Sequence, residues 1–200
     1  MSTAEVITAG QISRAADRFS ERCRVNASSF SKDTVQVVLE DEGDALAQEM
    51  FEVFRARVER RANTIVRRVP VNRNRTPQEV LDATEQKQYT TNSVVNLMPK
   101  GEGDEAEVHF FKLGRFVSDA DLDKEYESRG LKPADAYSLA AVNESDPAFA
   151  DEHPNGTHWE NADDKWCYSA FSRLGDDRRV RVGQDYGGWN DRWWFAGLRK

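Results

Sequence analysis

Three histidines, two cysteines and a surplus of carboxylates are the residues of this 200-residue chain that could do chemistry. His153 and His158 stand five apart in the segment Asp151 to Trp159. A metal there would recruit Asp151, Glu152 or Asp163 as further ligands. The two histidines share no helical spacing, however, and Pro154 breaks any helix through them, so the segment reads as a loop with surface histidines. His109 alternates within an apolar run and reads as a satisfied core or edge residue. Cys167 lies between Trp166 and Tyr168 in an alternating strand, the setting of a buried structural thiol rather than a nucleophile. Cys23 is far away in a different context. That favours reduced thiols and a cytoplasmic site by default, and a single long-range bridge stays open. There is no glycine-rich phosphate loop after a strand, no nucleophile elbow and no HExxH. No spacing selects a carboxylate pair. The expectation is a soluble binding protein and not an enzyme, with no cofactor and no metal.

Charge is unevenly placed. From Arg55 to Arg75 eight arginines face one acid, Glu59. From Gly101 to Lys165 seventeen acids face six basic residues. An arginine run can be a phosphate-binding stripe. It can equally be a solvated face, or a face docked on an acidic neighbour. The run has no interleaved aromatics, and the net charge of −7 works against general nucleic-acid binding. Nucleic acid is therefore an unlikely partner, and a nucleic-acid-associated or regulatory protein using Arg55–Arg75 is the alternative reading.

The C-terminal stretch differs from the rest. Trp166, Trp189, Trp193 and Trp194 fall in the last 35 residues, and Trp159 lies just before them. Phe171, Tyr186 and Phe195 join them. Between these anchors stand Ser172, Arg173, Gly175, Asp177, Arg178, Arg179, Arg181, Asp185, Gly187, Asn190, Asp191 and Arg192. Bulky anchors alternating with Tyr, Arg, Gly, Asn, Asp and Ser have the composition of an antibody-like paratope. Arg, Tyr and Trp are also the side chains that dominate interface energetics. A plain structural reading, a small sheet whose tryptophans make core, accounts for several of the aromatics but not for the Gly, Asp and Arg between them.

The elements that must position these residues can be read from periodicity. Residues 3–24 and 33–62 read as helices, with Gly43 able to break the second in two, in which case Ser31 to Glu40 could instead be a strand. Residues 64–71 read as a strand ending at Pro70. Thr76-Pro77 caps a short helix through Ala83, and Tyr89 to Met98 reads as another. Residues 106–114 form a buried strand. Ser118 caps a helix that Gly130 stops, and Pro133 starts one running to about Asn143. Asp146 to Asp164 reads as acidic and irregular. Strands follow at Trp166–Phe171, Arg178–Gly183 and Trp193–Leu198. In the middle one Val180 and Val182 face one way, and Arg179, Arg181 and Gly183 the other. The expected fold is α+β, with a mainly helical region over 1–100 and a mixed region with a short antiparallel sheet over 101–200, or one continuous domain. The N-terminal helices are candidates for homo-oligomerisation. No apolar run approaches membrane-span length, and the N-terminus has neither a basic n-region nor an apolar h-region.

From Phe111-Lys112-Leu113-Gly114-Arg115-Phe116-Val117-Ser118 to the end, the chain resembles a family of uncharacterised proteins from candidate-phylum bacteria and metagenomes. The matching stretches are KEYESRGLKPADAYSLAAVNE, DPAFADEHPNGTHW, KWCYSAF and WWFAGLRK. That group is similar to the variable proteins of diversity-generating retroelements, hypervariable proteins whose C-terminal residues are rewritten at adenine positions of the gene. The resemblance implies a C-type-lectin-like fold ending in a Gly-Phe-Arg-like strand, here Phe195-Ala196-Gly197-Leu198-Arg199, with Leu198 departing from the usual aromatic. It implies a protein or glycan ligand held by diversified positions at Ser172, Arg173, Leu174, Gly175, Asp177, Arg178, Arg179, Arg181, Asp185, Tyr186, Asn190, Asp191 and Arg192. Trp166, Phe171, Val180, Val182, Trp189, Trp193, Trp194 and Phe195 would be scaffold. Trp189-Asn190-Asp191 is also similar to the calcium-binding WND of sugar-binding lectins, but positions that are rewritten cannot form a required calcium site.

Overall fold

The computed structural model describes residues 7–59, 64–184 and 187–200. Two compact units divide it, Met1–Val58 and Glu59–Lys200. The expected boundary near residue 100 therefore moves to about residue 58. Residues 64–100 belong with the second unit, in whose core Ile65, Val69, Val80, Leu81, Val94 and Val95 are buried.

The first unit is helical. Thr8 and Gln11 form a capping box that opens α1 (Ala9–Val25). Ser31 caps α2 (Lys32–Asp41), and α3 (Gly43–Glu59) follows after a break at Glu42, where the glycine was expected to interrupt the pattern.

The second unit is built on a sheet. In chain order its elements are β1 (Thr64–Pro70), α4 (Pro77–Asp82), β2 (Lys87–Thr90), α5 (Asn92–Val95), β3 (Glu105–Lys112), α6 (Asp119–Ser128), β4 (Leu131–Pro133) and α7 (Ala136–Ser145). They continue through α8 (Phe149–Glu152), β5 (Asn155–Glu160), β6 (Trp166–Leu174), β7 (Asp177–Gln184) and β8 (Trp194–Arg199). The α+β class holds. The sheet, though, is eight-stranded and mixed rather than short and antiparallel, in the order β1-β3-β8-β5-β6-β7-β2, with β4 on β8. The β5–β8 and β2–β7 pairs are parallel and the others antiparallel.

Three expectations fail, each because a remote partner decides the local structure. Asp146 to Asp164 is not irregular: it holds α8 and the interior strand β5. In β5 the Asn155 amide meets Asn143, and the Thr157 hydroxyl donates to the Ala134 carbonyl. Tyr89 to Met98 is not one helix, because Lys87–Thr90 pairs with β7. Pro133 does not open a helix but ends β4, and Asp135 caps α7 by accepting from the Ser138 N–H.

The two sheet faces bury different cores. On one face Ile65, Val108, Phe110, Phe171, Val180 and Ala196 pack with residues of α4, α5, α7 and α8. On the other, Phe111, Ala170 and Phe195 pack with Leu122 and Tyr126 of α6 and with Val117, Trp189 and Trp193.

Four arginines of the run are held within this unit. Arg67 is buried with its guanidinium 4.7 Å over the Phe149 ring. Arg68 pairs with Glu107, and Arg75 with Glu144 at 2.7 Å. Arg73 meets Asp135 at 2.6 Å and donates to Ser138 and to the Lys100 and Gly103 carbonyls. It thereby ties the 100–104 turn to the start of α7. Gly101, at φ +69°, leaves no room for a side chain there, since a Cβ would lie 2.3 Å from the Asp135 carboxylate. Arg60 and Arg61 lie outside the described residues. Arg73→Ala is expected to cost about 2 kcal/mol, read by urea denaturation. Asp135 would lose its cation in a buried site but keep its Ser138 partners.

Candidate ligand-binding surface

Strand alternation sorts the expected contact residues before anything else does. β6 and β7 pair in register, with Ser172 opposite Arg179 and Ala170 opposite Arg181. These four residues share the sheet face that carries Tyr168 and Gly183. β2 extends that face, because Lys87 stands opposite Arg179 and Tyr89 opposite Arg181. The Arg179 guanidinium lies 5.1 Å over the Tyr89 ring, a cation–π contact worth roughly 0.5–1 kcal/mol at an accessible site. Its Nε is buried without a partner among the described residues. Lys87 pairs with Asp177 at 2.9 Å. That hydrogen bond raises the lysine pKa and lowers that of the carboxyl. The result is a half-open platform of Arg, Tyr and Lys. Tyr89 and Lys87 carried no signal in the sequence, because four polar residues of an edge strand show no period.

The chain then returns across this same face. Gln184 ends β7 opposite Cys167, whereas Trp194 opens β8 opposite Asn155, which is itself opposite Phe171. Between them the loop travels back by four residues of β6, about 13 Å. Trp189 is its anchor. The ring stands on Gly156, where an added Cβ would come within 2.6 Å of it. It makes edge contacts with Trp193 and Phe195 at 5.4 and 5.7 Å, and the Trp189 backbone bridges to Val117. Asn190, Asp191 and Arg192 follow, all exposed. The Asn190 side-chain oxygen accepts from the Arg192 N–H, and Arg192 covers the Trp193 ring at 5.1 Å. Among the described residues no group of three His, Cys, Asp or Glu could hold a metal ion.

Trp189 is fixed from below by a charged centre. Its indole N–H donates to Asp119 Oδ1 at 2.8 Å. The same oxygen meets His158 Nδ1 at 2.8 Å, and His158 Nε2 meets Asp123 at 3.0 Å. Both ring nitrogens face carboxylates, which accept when ionised, so the arrangement favours the protonated ring, donating from both nitrogens. Burial opposes that charge, but Asp119 and Asp123 overcome it and hold the His158 pKa above its ordinary value. Burial likewise opposes ionisation of Asp119, and hydrogen bonds from His158 and Trp189 outweigh it, so its pKa is lowered. The Trp166 ring stacks on the imidazolium at 4.6 Å. The expectation of surface histidines is thus corrected. His158 is fully buried, and His153 is buried against Phe149 and Trp194.

The expected contact set divides accordingly. Arg179 and Arg181 lie on the platform, Asn190, Asp191 and Arg192 beside it, and Leu174, Gly175 and Asp177 at the β6–β7 tip. Ser172 is on the platform face but buried. Arg178 shares the parity of Val180 and Val182 and so points to the opposite face, as does Arg173. There both guanidiniums bind Asp151 of α8, Arg178 at 2.8 Å and Arg173 at 3.2 Å. The Arg178 hydrogen bond, the largest influence, depresses the Asp151 pKa. Ser172 is therefore covered, while Arg173 and Arg178 keep 44% and 40% of their side chains exposed on that opposite face, with Asp151 held between them. Asp185 and Tyr186 lie outside the described residues. Of the expected scaffold, Phe171, Trp189, Trp193, Trp194 and Phe195 are buried, and Trp166 is half-buried.

No helix among the described residues is long and apolar enough to cross a membrane. No family model, curated protein or solved structure matches this chain.

Proposed function

We propose that this chain is a non-catalytic ligand-binding protein of the diversified kind, presenting rewritten residues on a C-type-lectin-like scaffold to a protein or glycan target. One observation carries the reading: the C-terminal segment separates into an aromatic bed and a polar cover. Val180 and Val182 go under the sheet while Arg179 and Arg181 stay on the platform, and buried Trp189 is followed by three exposed residues. A surface of this kind tolerates change, since its backbone is held by packing that the contact residues do not share. β8 supports the reading too. It is locked between β3 on one side and β5 with β4 on the other, so the segment just before it is delivered to a fixed place.

Arg179, Arg181 and Tyr89 supply the side-chain types that dominate interface energetics. Exchanging Arg181, Asn190, Asp191 and Arg192 together for Ser, Tyr, Gly and Asn is expected to change stability by less than about 1 kcal/mol, or about 2–4 °C in Tm. A loss above about 3 kcal/mol would identify them as core and end the proposal. Diversification itself is tested by sequencing the 3′ end of the gene across many genomes, beside any near-repeat copy. Changes should concentrate at adenine-derived codons for the platform and loop residues while Trp189, Trp193 and Trp194 stay constant. Variation spread evenly over both classes would remove the retroelement link.

Arg68, Arg73 and Arg75 each pair with an acid of their own unit. That weighs against a nucleic-acid role for the arginine run, because a paired guanidinium must give up its carboxylate before it can neutralise a phosphate.

A further inference from the structure

We infer that residues 7–58 are a self-association module whose occupant is the same module of a second copy. Three helices form there, yet none of its described residues is buried. Thirteen of the eighteen exposed large apolar side chains lie in this quarter of the chain, so its apolar surface is concentrated and not scattered. A 17-residue helix in water is marginal without a buried face. The faces are nevertheless well formed. In α1, Ile12, Ala15, Ala16 and Phe19 follow helical spacing. In α3, Leu46, Met50, Val53, Phe54 and Arg57 do the same. Together they line a groove of about 810 Å³.

The size and the charge of this surface both fit a second copy. Seven of the thirteen line that groove and at roughly half exposure present on the order of 600 Å² per chain, approaching the roughly 800 Å² per partner of a standard interface. α1 carries Arg14, Arg18, Arg22 and Arg24 against Asp17 and Glu21. Residues 32–59 carry eight acids against three basic residues. In a two-fold arrangement the surface must complement itself, and α1 of one copy then faces α3 of the other, basic against acidic. A module carrying both signs meets that condition without a foreign partner. The dimer would display two platforms, and paired sites gain avidity without any new contact.

The test is sedimentation equilibrium of the full chain up to about 100 µM. The expected mass is twice 22.8 kDa. Phe19→Glu with Phe54→Glu should weaken the dimer at least about 100-fold, while Phe19→Leu with Phe54→Leu should leave it associated. All five tryptophans lie in the second unit. Unchanged tryptophan fluorescence in the glutamate variant would therefore show the second unit intact, and retained far-UV helical dichroism would show that the first unit keeps its helices, so that lost association is separated from lost folding. A wild-type chain that stays monomeric at the highest concentration overturns the inference. So does a dimer that survives the glutamates, since its interface would lie elsewhere.

Discussion

His158→Leu is expected to destabilise the second unit by about 3–5 kcal/mol, the usual effect of leaving a buried charge without its partner. Asp119 bears most of that loss, its side chain being only 11% exposed and left with the Trp189 N–H. The Asp123 arm contributes little, because that carboxylate is 46% exposed and solvent screens it. Removing both charges with His158→Leu/Asp119→Leu should cost less than the sum of the single changes. The shortfall is expected to reach about 1–3 kcal/mol in a double-mutant cycle. Additive losses would mean that the pair does not interact.

The same centre sets a pH dependence. The folded His158 pKa is raised, so its contribution is complete below the ordinary value of about 6.5 and is lost as pH rises through the folded value. The folded Asp119 pKa is lowered, so its contribution is complete above about 3.9 and is lost as pH falls. The groups facing the ring are Asp119 and Asp123 of α6, and Tyr126 and Trp166 packed nearby. Tyr126 is fully buried and donates to the Ala196 carbonyl, and burial pushes its pKa up, so it stays neutral. Urea denaturation across pH should therefore show the centre's contribution at its greatest between about 4 and 6.5. On the alkaline side stability should decline in the wild type, and the decline should flatten in His158→Leu. An unchanged alkaline slope in that variant would show that the imidazolium is not its source.

Trp189→Ala is expected to cost a further class of stability, about 3–5 kcal/mol, since a fully buried indole leaves a cavity between Gly156, Trp193 and Phe195. It should also release the loop that carries Asn190, Asp191 and Arg192. Amide exchange of those residues should accelerate while β3 and β8 remain protected. Trp189→Phe loses the N–H to Asp119 and part of the bicyclic ring that rests on Gly156, so about 1–3 kcal/mol is expected. Gly156→Ala attacks the same contact from the strand side and should cost about 1–3 kcal/mol, because the indole has to move to admit the methyl group. If Trp189→Ala left the exchange pattern unchanged, the indole would not be what holds the platform loop.

Much of the local structure was legible from short-range rules. Thr76 caps α4 with Pro77 at its first position, as expected, and Glu79 completes a capping box, while Ser118 opens α6. The β7 alternation already separated Val180 and Val182 from Arg179 and Arg181. The same parity would have sent Arg178 to the valine side, where it meets Asp151. β5 defeated pattern reading because Asn155, Gly156, Thr157 and His158 look like a polar loop. Each is in fact buried, the glycine beneath an indole and the others with a partner far away in the chain. β2 was missed because an edge strand of four polar residues has no periodic signal, and with it Tyr89 and Lys87 were lost from the expected surface.

The sequence by itself determined where the capped helices α4 and α6 begin, which residues of β7 alternate, and which aromatics are anchors, because each depends on neighbours within a few positions. Only the tertiary structure decided where the charges go. Arg73 finds Asp135 at a separation of 62 residues, His158 finds Asp119 at 39, and Trp189 reaches the same carboxylate across 70. Burying a charged or polar group is favourable only when its partner is already in place. The fate of these residues therefore rests on the assembled sheet and not on any local pattern.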